Sequence, residues 1–361
     1  MHSASSASAS SSRQPIPVPA ALERVVTLDG ADLAEAAVAP TIVETGSDID
    51  LTDPDLTDLD RNPEIETRLA PLHIRIINFV AVVLPFLGLV AAMVLLWGTA
   101  FSWVYLAMLV GGTILTGLGV TVGYHRLFTH RSFRTVRPVE LGLAVLGSMA
   151  VQGPVVEWVA THRKHHQHSD GEADPHSPHG HDDTLFGFIR GFIHAHVGWL
   201  FDRKADDIDR YATDLYRDKG LVRTSNLFVL WVTLGLLIPA AIGGLVTMTW
   251  MGVLLGFLWG GLARVFVLHH ITWSVNSVCH IWGAKHFASS DESRNNPVFG
   301  ILAFGEGWHN NHHAFPTSAR HGLLWWQFDL SYIVIRALGL LGLAKDIKLP
   351  TPERMKAKRR H

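Results

Sequence analysis

Four long apolar stretches dominate the pattern of hydrophobic and polar positions along the chain. They cover residues 74–98, 101–124, 226–249 and 251–275. Each is long enough for a helix to cross a bilayer, which takes about 20 predominantly apolar residues. Very short breaks join the first stretch to the second and the third to the fourth. The pattern therefore predicts an all-α integral membrane protein with four transmembrane helices in two hairpins.

A fifth apolar stretch, residues 138–156, differs from these four. It contains Glu140 and Gln152, and it ends on the helix breakers Gly153 and Pro154. Histidines cluster both before and after this stretch, within residues 125–130 and 162–166. If the stretch crossed the membrane, these two clusters would lie on opposite faces and could not share metal ions. We therefore predict a half-buried helix that lies at the membrane interface.

The two ends of the chain differ in composition from the middle. Ser and Ala fill most of the first twelve positions, and acidic residues recur between positions 44 and 66. Such segments bury too little apolar surface to fold, and no basic start with an apolar core suggests a signal peptide. We predict a disordered tail over residues 1–70, a membrane domain over residues 71–350 and a basic C-terminal tail over residues 351–361.

The overall composition agrees with a membrane protein. Hydrophobic residues make up 48% of the chain and charged residues only 17%, and the mean hydropathy is +0.21. The single cysteine, Cys279, excludes a disulfide within the chain and a Cys-ligated iron–sulfur centre. The formal net charge is −2, and the sequence has no basic arm with interleaved aromatic residues. We therefore expect no nucleic-acid partner.

The distribution of Lys and Arg predicts the orientation of the spans. With four spans, both ends of the chain and all histidine clusters lie on one side. That side carries many basic residues, among them Arg126, Arg163 and Lys164, whereas the two hairpin turns carry none. Because basic loops stay in the cytoplasm, we expect the histidine clusters and both termini to be cytoplasmic.

Three histidine clusters carry the candidate chemistry. They are His125 with His130, then His162 with His165 and His166, and far downstream His309 with His312 and His313. On a helix, residues at i, i+3 and i+4 share one face, so each triplet is expected to point three imidazoles at one spot. Imidazole suits iron, copper or zinc. Eight histidines exceed the ligand number of one tetrahedral zinc site, so two metal ions fit better.

The motifs HRLFTH, HRKHH and HNNHH, in this order around two apolar hairpins, resemble the membrane fatty-acid desaturases over about residues 70–350. Four residues between the histidines of the first motif resemble the delta-9 acyl-CoA branch, which includes stearoyl-CoA desaturase, here of bacterial type. The segment TWSVNSVCH adds Asn276 and His280. The resemblance implies two iron ions and a ligand set of nine histidines plus Asn276 acting through a water. The histidines are His125, His130, His162, His165, His166, His280, His309, His312 and His313.

The resemblance also implies residues that contact the substrate. Four residue types that shape the bend of the acyl tunnel in the family match here, at Gln152, Trp158, Thr272 and Trp273. A basic pair that meets coenzyme A phosphates matches Arg203 and Lys204. The Arg-Asp pair of the animal enzymes is here Ala160-Thr161, which departs from the pattern. Counting back from His125 in helical steps gives Thr113 and Leu109, at positions that help to close the tunnel in the family.

The activity implied is insertion of a cis double bond at delta-9 of a long-chain acyl-CoA, in a bacterial cell membrane, with consumption of O2. Two electrons must come from a separate donor, a ferredoxin or a b-type cytochrome with its reductase, because the chain has no appended redox domain. Carboxylates at Glu157, Asp170, Asp174 and Glu306 are placed to orient the imidazoles. An acyl group on carrier protein or membrane lipid is the other carrier considered, and a diiron hydroxylase or a metal transporter the other function.

Overall fold

The computed structural model describes residues 42–45, 70–97, 102–202 and 208–360, and this part of the chain is mostly helical. In chain order the helices are α1 (Leu72–Trp97), α2 (Trp103–Leu118), α3 (Arg137–Ser148), α4 (Val155–His168), α5 (Leu185–His196), α6 (Ile208–Tyr211), α7 (Thr213–Tyr216), α8 (Lys219–Asn226), α9 (Phe228–Thr247), α10 (Trp250–Gly256), α11 (Arg264–Ser277), α12 (Pro297–Leu302), α13 (His309–Ala314), α14 (Leu330–Leu340) and α15 (Pro352–Lys358). Two π-helices, Gly119–Thr129 and Phe257–Ala263, continue α2 and α10.

Four helical runs of the described residues are long and apolar enough to cross a membrane, as predicted. The first to fourth spans are Leu72–Leu95, Trp103–Thr129, Phe228–Thr247 and Trp250–His280. In their most apolar windows the first and third spans are only 17% buried, whereas the second and fourth are 44% and 61% buried. The second and fourth spans are therefore the inner pair, and they are also the two that end in histidine ligands. Pairing of the spans as two hairpins stays a prediction.

The π-helix at the end of the second span brings the first histidine pair together. The His130 backbone N–H donates to the His125 carbonyl at 3.1 Å, five residues back. In an α-helix, positions five apart point about 140° away from each other. The wider π turn removes this divergence, and the two imidazole centroids lie 4.8 Å apart.

The stretch 138–156 forms α3, a turn and the start of α4. Val151 and Gly153 take φ angles of 61° and 103° in this turn, and Pro154 precedes α4. A left-handed φ suits Gly153 because glycine has no Cβ. The chain thus reverses here, and the stretch lies outside the four candidate spans.

This reversal places the first and second histidine clusters together. The Tyr124 hydroxyl, in the π-helix, hydrogen-bonds to Ser148 at the end of α3 at 2.8 Å. Farther on, the His130 and His166 rings lie 4.5 Å apart between centroids. The structure therefore brings the two clusters together, and their sharing of metal ions stays a prediction.

Four short strands among the described residues form two small sheets. They are β1 (Ile42–Thr45), β2 (Arg134–Thr135), β3 (Ala344–Lys345) and β4 (Ile347–Pro350). β1 pairs in parallel with β4, and β2 pairs antiparallel with β3. β1 lies within residues 1–70, for which the sequence predicts a disordered tail, and its sequence, IVET, is rich in the β-branched residues that favour strands. The extent of the tail stays a prediction. Residues 1–41 and 46–69 lie outside the described residues.

The basic C-terminal segment folds back onto the rest of the chain. The Thr351 side chain accepts a hydrogen bond from the Arg354 backbone N–H at the start of α15. The Ala288 N–H then donates to the Lys358 carbonyl at 2.7 Å, and the Arg360 N–H to the His286 carbonyl at 2.9 Å. The segment predicted as a tail is thus helical, and its backbone hydrogen-bonds to the segment before α12.

Candidate metal centre

One group of five histidines gathers residues from the π-helix, α4 and α13. Its members are His125, His130, His162, His166 and His312, and their ligand nitrogens all lie within 4.8 Å of one another. The Nε2 atom of His312 lies 3.1 Å from His125 Nε2 and 2.9 Å from His166 Nε2. Several imidazole nitrogens that converge on one point are the donor set of a transition-metal site.

A second group contains His165, His280, His309 and His313, again with ligand nitrogens within 4.8 Å of one another. His309 Nε2 lies 3.0 Å from His280 Nε2 and 3.1 Å from His313 Nε2. The rings of His166 and His313, one from each group, are stacked 4.5 Å apart. The two groups are therefore neighbours, and together they contain all nine histidines of the predicted ligand set.

Each histidine triplet divides between the two groups, which corrects the expectation of one spot per triplet. His162 and His166 enter the five-histidine group, while His165 enters the other. His309 and His313 likewise separate from His312. The reason is the helical step, since residues i and i+4 lie about 40° apart and residues i+3 and i+4 about 100° apart. Both α4 and α13 therefore contribute histidines to each of the two groups and connect them.

Buried carboxylates orient four of the nine rings by contacting the Nδ1 atom that points away from the group. Glu306 Oε2 lies 2.5 Å from His125 Nδ1, and Asp174 Oδ2 lies 2.9 Å from His165 Nδ1. Asp170 Oδ2 lies 3.0 Å from His280 Nδ1, and Asp291 Oδ2 lies 2.6 Å from His313 Nδ1. An imidazole that donates Nδ1–H to a carboxylate presents a bare, more basic Nε2 to a metal.

Burial keeps the imidazoles outside the spans neutral. It lowers the pKa of His130, His162 and His166 well below the usual range, and the charge repulsion of neighbouring imidazoles lowers it further. Burial also lowers the pKa of His165 to about 3, although Asp174 opposes this shift. Neutral imidazole is the form that binds metals, because its lone pair is free.

The partner carboxylates stay ionised despite their burial. Burial by itself raises the pKa of Asp170, but its hydrogen bond to His280 and the attraction of that ring outweigh burial and bring the pKa to about 2. Burial is likewise outweighed at Asp174, where attraction and hydrogen bonding by His165 hold the pKa far below the usual range. Carboxylates that stay ionised beside the rings favour a positive charge at the histidine groups.

Two buried donor atoms show that the site fits metal ions. His130 Nε2 and His165 Nε2 are buried without a hydrogen-bond partner among the described residues. An unpaired buried nitrogen is costly, and one lies in each histidine group. The residues therefore fit one metal ion per group, with nitrogen ligands and carboxylates behind them.

An apolar cavity of about 910 Å³ leads to the histidines. Gln152, Trp158, Thr272 and Trp273 all line it, as do His125, His162 and His309. The Gln152 side-chain N–H donates to the Thr272 hydroxyl at 2.9 Å, and the Trp158 ring stacks on His162 at 4.9 Å. Asn276 also lines the cavity; its role as a ligand through water stays a prediction.

Two of the remaining predicted substrate residues, both described in the structure, do not line the cavity. Thr113 and Leu109 are not among the residues that line the cavity, and the Thr113 hydroxyl donates to the Leu109 carbonyl at 2.7 Å. Their role in closing the acyl tunnel stays a prediction. Arg203 and Lys204 lie outside the described residues. His269, within the fourth span, hydrogen-bonds to the Val151 carbonyl at 2.9 Å and belongs to neither histidine group.

Sequence reasoning missed two parts of the site. The fourth carboxylate at an imidazole is Asp291, whereas Glu157 lines the cavity. A buried network also stands behind Glu306, because Arg126 bonds to Glu306 at 3.1 Å and to Asp329 at 2.9 Å. Arg126 is adjacent to a ligand in the sequence, which was an available signal. Asp291 and Asp329 lie far along the chain from the imidazole and the guanidinium that they contact, and no sequence motif indicated either of them.

The sequence profile of the fatty acid desaturases matches residues 102–338, which is more than half of the chain and contains all nine histidines. The chain belongs to the fatty acid desaturase family. Membership implies a fatty acyl substrate, O2 and an electron donor, and it agrees with the four apolar spans and the histidine groups.

Relatives of this desaturase differ in the carrier of the acyl group. The chain is 46% identical over 279 residues to a hex-5-enoyl-[acyl-carrier protein] acetylenase of Moorena producens, covering 77% of this chain and 87% of the relative. It is 43% identical over 254 residues to an sn-1 stearoyl-lipid 9-desaturase of Synechocystis, covering 69% and 74%. It is 38% identical over 271 residues to an acyl-CoA C20 Delta5-desaturase of Anemone leveillei, covering 74% and 81%.

Proposed function

We propose that this desaturase inserts a cis double bond at delta-9 of a saturated long-chain acyl group at a centre of two iron ions. The observation that carries the proposal is the pair of adjacent histidine groups at the end of an apolar cavity. An iron pair supplies the reduction of O2 that cleavage of an unactivated C–H bond requires. The reaction removes one hydrogen atom from each of two adjacent carbons, and these two hydrogens, together with O2, two electrons and two protons, become two waters.

The residues of the chain hold the metal ions and exclude competing chemistry. Nine imidazoles, which carry no negative charge of their own, would bind without cancelling the positive charge of the metals, unlike a carboxylate-rich site. Glu306, Asp170, Asp174 and Asp291 fix four of the ring orientations from behind. Burial of both groups keeps bulk water from the reacting atoms.

The same cavity positions the acyl chain. Trp158 stacks on His162, and both residues line the cavity, as does Trp273 of α11. The hydrogen bond from Gln152 to Thr272 joins the turn before α4 to the fourth span at the cavity wall. These contacts support the proposal that the four residues set the bend of the chain and so which carbons face the histidines.

The proposed setting is a cell membrane with the histidine side in the cytoplasm. The support is the Lys and Arg distribution, together with both histidine-bearing spans ending on the same side. Two helical hairpins with a cytoplasmic helical cap follow from this arrangement. A separate ferredoxin or b-type cytochrome with its reductase is the proposed donor of electrons.

The carrier expected from sequence was acyl-CoA, on the basis of Arg203 and Lys204. The relatives named above act on acyl groups carried by protein, lipid and coenzyme A, so their names support no single carrier. A diiron hydroxylase is the second candidate function, because the same oxidant that removes the first hydrogen can return an oxygen atom to the carbon.

The test is mass spectrometry of lipids from a desaturase-deficient bacterial host that expresses the chain with a suitable donor. We expect delta-9 monounsaturated acyl chains, formed only when O2 is present. The His313→Ala variant should form none, whereas His181→Ala, which alters a histidine outside both groups, should match the parent. Hydroxylated chains would favour the hydroxylase, and no modified lipid with a functional donor would contradict the proposal.

A further inference from the structure

The cavity continues past the histidines into a cleft between the first and third spans. Ile77, Val80 and Leu84 of the first span form one wall, and Val229 and Val232 of the third span form the other. Leu262 and Val265 of the fourth span form the floor. The cleft is thus continuous with the site that holds Gln152, Thr272 and the histidines.

The side chains that line this cleft are also exposed on the outer surface of the spans. Val229 is 74% exposed, Ile77 59%, Val80 48% and Leu84 44%. Exposed apolar side chains in the middle of a span contact lipid. From Ile74 to Leu84 the cleft follows the first span for about 15 Å, roughly half of the hydrocarbon thickness. Its mouth therefore faces the acyl chains of the leaflet on the histidine side.

The two outer spans are both packed against the fourth span, which keeps the floor in place between them. Gly88 of the first span lies directly against Leu262, so that a side chain there would collide with it. Pro239 of the third span lies against Gly256 and Gly260 in the same way. The floor of the cleft is therefore fixed by close glycine contacts on both sides.

The charge of the cleft distinguishes between acyl carriers. Among the described residues that line the cavity, none is Lys or Arg, and the polar ones include Asn78, Glu157, Thr161 and Asn276. A soluble carrier with several phosphates would find no cation among these described residues. A bilayer lipid needs none there, because its head group stays at the membrane surface while one chain enters.

We propose that this cleft is a side opening through which one acyl chain of a diacyl membrane lipid slides from the bilayer to the histidine groups. The inference rests on the proposed function, because a route for an acyl chain to the histidines is useful only if the chain is desaturated there. The opening itself follows from the lining and the exposure of the spans. An acyl chain that moves through it exchanges one apolar environment for another and never crosses water.

The test fills the mouth without touching the site. In Val80→Trp and Val229→Trp, an indole ring projects into the cleft from either wall. Val94→Trp and Val246→Trp are the matched controls, since these valines lie on the same two helices, are 68% and 57% exposed, and do not line the cavity. The milder Val80→Phe and Val229→Phe serve if an indole prevents folding, which circular dichroism and gel filtration of each purified variant detect.

The readout is binding, independent of turnover. The full chain is placed in vesicles of phosphatidylcholine whose sn-1 acyl chain carries a diazirine, irradiated, and analysed by mass spectrometry for labels on residues 272–276. We expect these deep labels in the parent and in both controls. They should fall by roughly tenfold or more in the two mouth variants, as overfilling of a packed apolar channel produces.

Two outcomes would overturn the side opening: deep labels that persist in both folded mouth variants, or deep labels from acyl-CoA or acyl-carrier protein with none from the lipid. Product analysis on the same samples separates this proposal from the proposed function. Unsaturated product with unchanged labelling would remove the opening and leave desaturation standing. Labelling that falls in the mouth variants, without any unsaturated product from the parent, would support the side opening and contradict the proposed desaturation.

Discussion

Replacement of Glu306 by glutamine is the sharpest perturbation of the metal centre that the structure offers. The Glu306 carboxylate lies 2.5 Å from His125 Nδ1, 3.1 Å from Arg126 Nη2 and 3.3 Å from His321 Nδ1. Glutamine keeps the shape of the side chain but removes its charge and one acceptor oxygen. The His125 imidazole then loses the anion that fixes its orientation and raises its basicity.

The expected size of the effect follows from what remains around Arg126. Its guanidinium keeps Asp329 at 2.9 Å and the Ala319 carbonyl at 2.8 Å, so it stays paired after the change. The free energy of unfolding should therefore fall by only about 1–3 kcal/mol, the cost of one buried charged hydrogen bond. Loss of a carboxylate behind a ligand imidazole costs about 10–100-fold in metal affinity, or about 1.4–2.8 kcal/mol.

The assay is competition with a graded series of chelators on purified protein, followed by elemental analysis of the retained metal. Glu292→Gln is the matched control, because that carboxylate pairs with Lys285 and Arg294 and contacts no ligand histidine in the structure. Glu306→Gln should release metal at a weaker chelator strength than parent and control. Equal retention by a folded Glu306→Gln variant would refute the argument that this carboxylate supports His125.

Three further predictions concern the cavity and the metals. Gln152→Leu removes the hydrogen bond to Thr272, worth about 1 kcal/mol, and should spread the double bond over neighbouring positions in product analysis, while a single unchanged position would argue against the proposed bend. Leu109→Trp should shift preference towards shorter chains across C14 to C20 substrates if this residue closes the tunnel, whereas an unaltered length profile would place it outside. Removal of metal by chelation should lower the unfolding temperature measured by calorimetry, because only the folded chain gathers the ligands, and a metal-independent temperature would contradict this.

The spans and most of the predicted ligand histidines could be predicted from strong local signals. Length and apolarity define the four spans without any knowledge of their packing. Triplets such as His162, His165 and His166 share a helical face, and the shared site excluded a fifth crossing at residues 138–156. The ligand His280 has no such cluster, and only the resemblance of its segment to the desaturases pointed to it.

Other features depend on tertiary contacts that no local sequence pattern indicates. The π-helix that brings His125 and His130 together lies against α3, and no local sequence pattern indicated it, since an α-helical reading would have separated the two rings. Asp291 reaches His313 from 22 residues away along the chain through a loop without regular periodicity. The course of the cavity between the first and third spans also follows from tertiary packing, whereas sequence reasoning placed the tunnel along Thr113 and Leu109.

The most direct test of the central claim is the number of iron ions bound per chain. The protein would be purified without chelators from a host supplied with iron, and its iron and protein content measured by elemental and amino-acid analysis. We predict two irons per chain in the parent, a clear loss in His313→Ala and no loss in His181→Ala. A parent that saturates at one metal ion per chain, or a His313→Ala variant that keeps two, would contradict it.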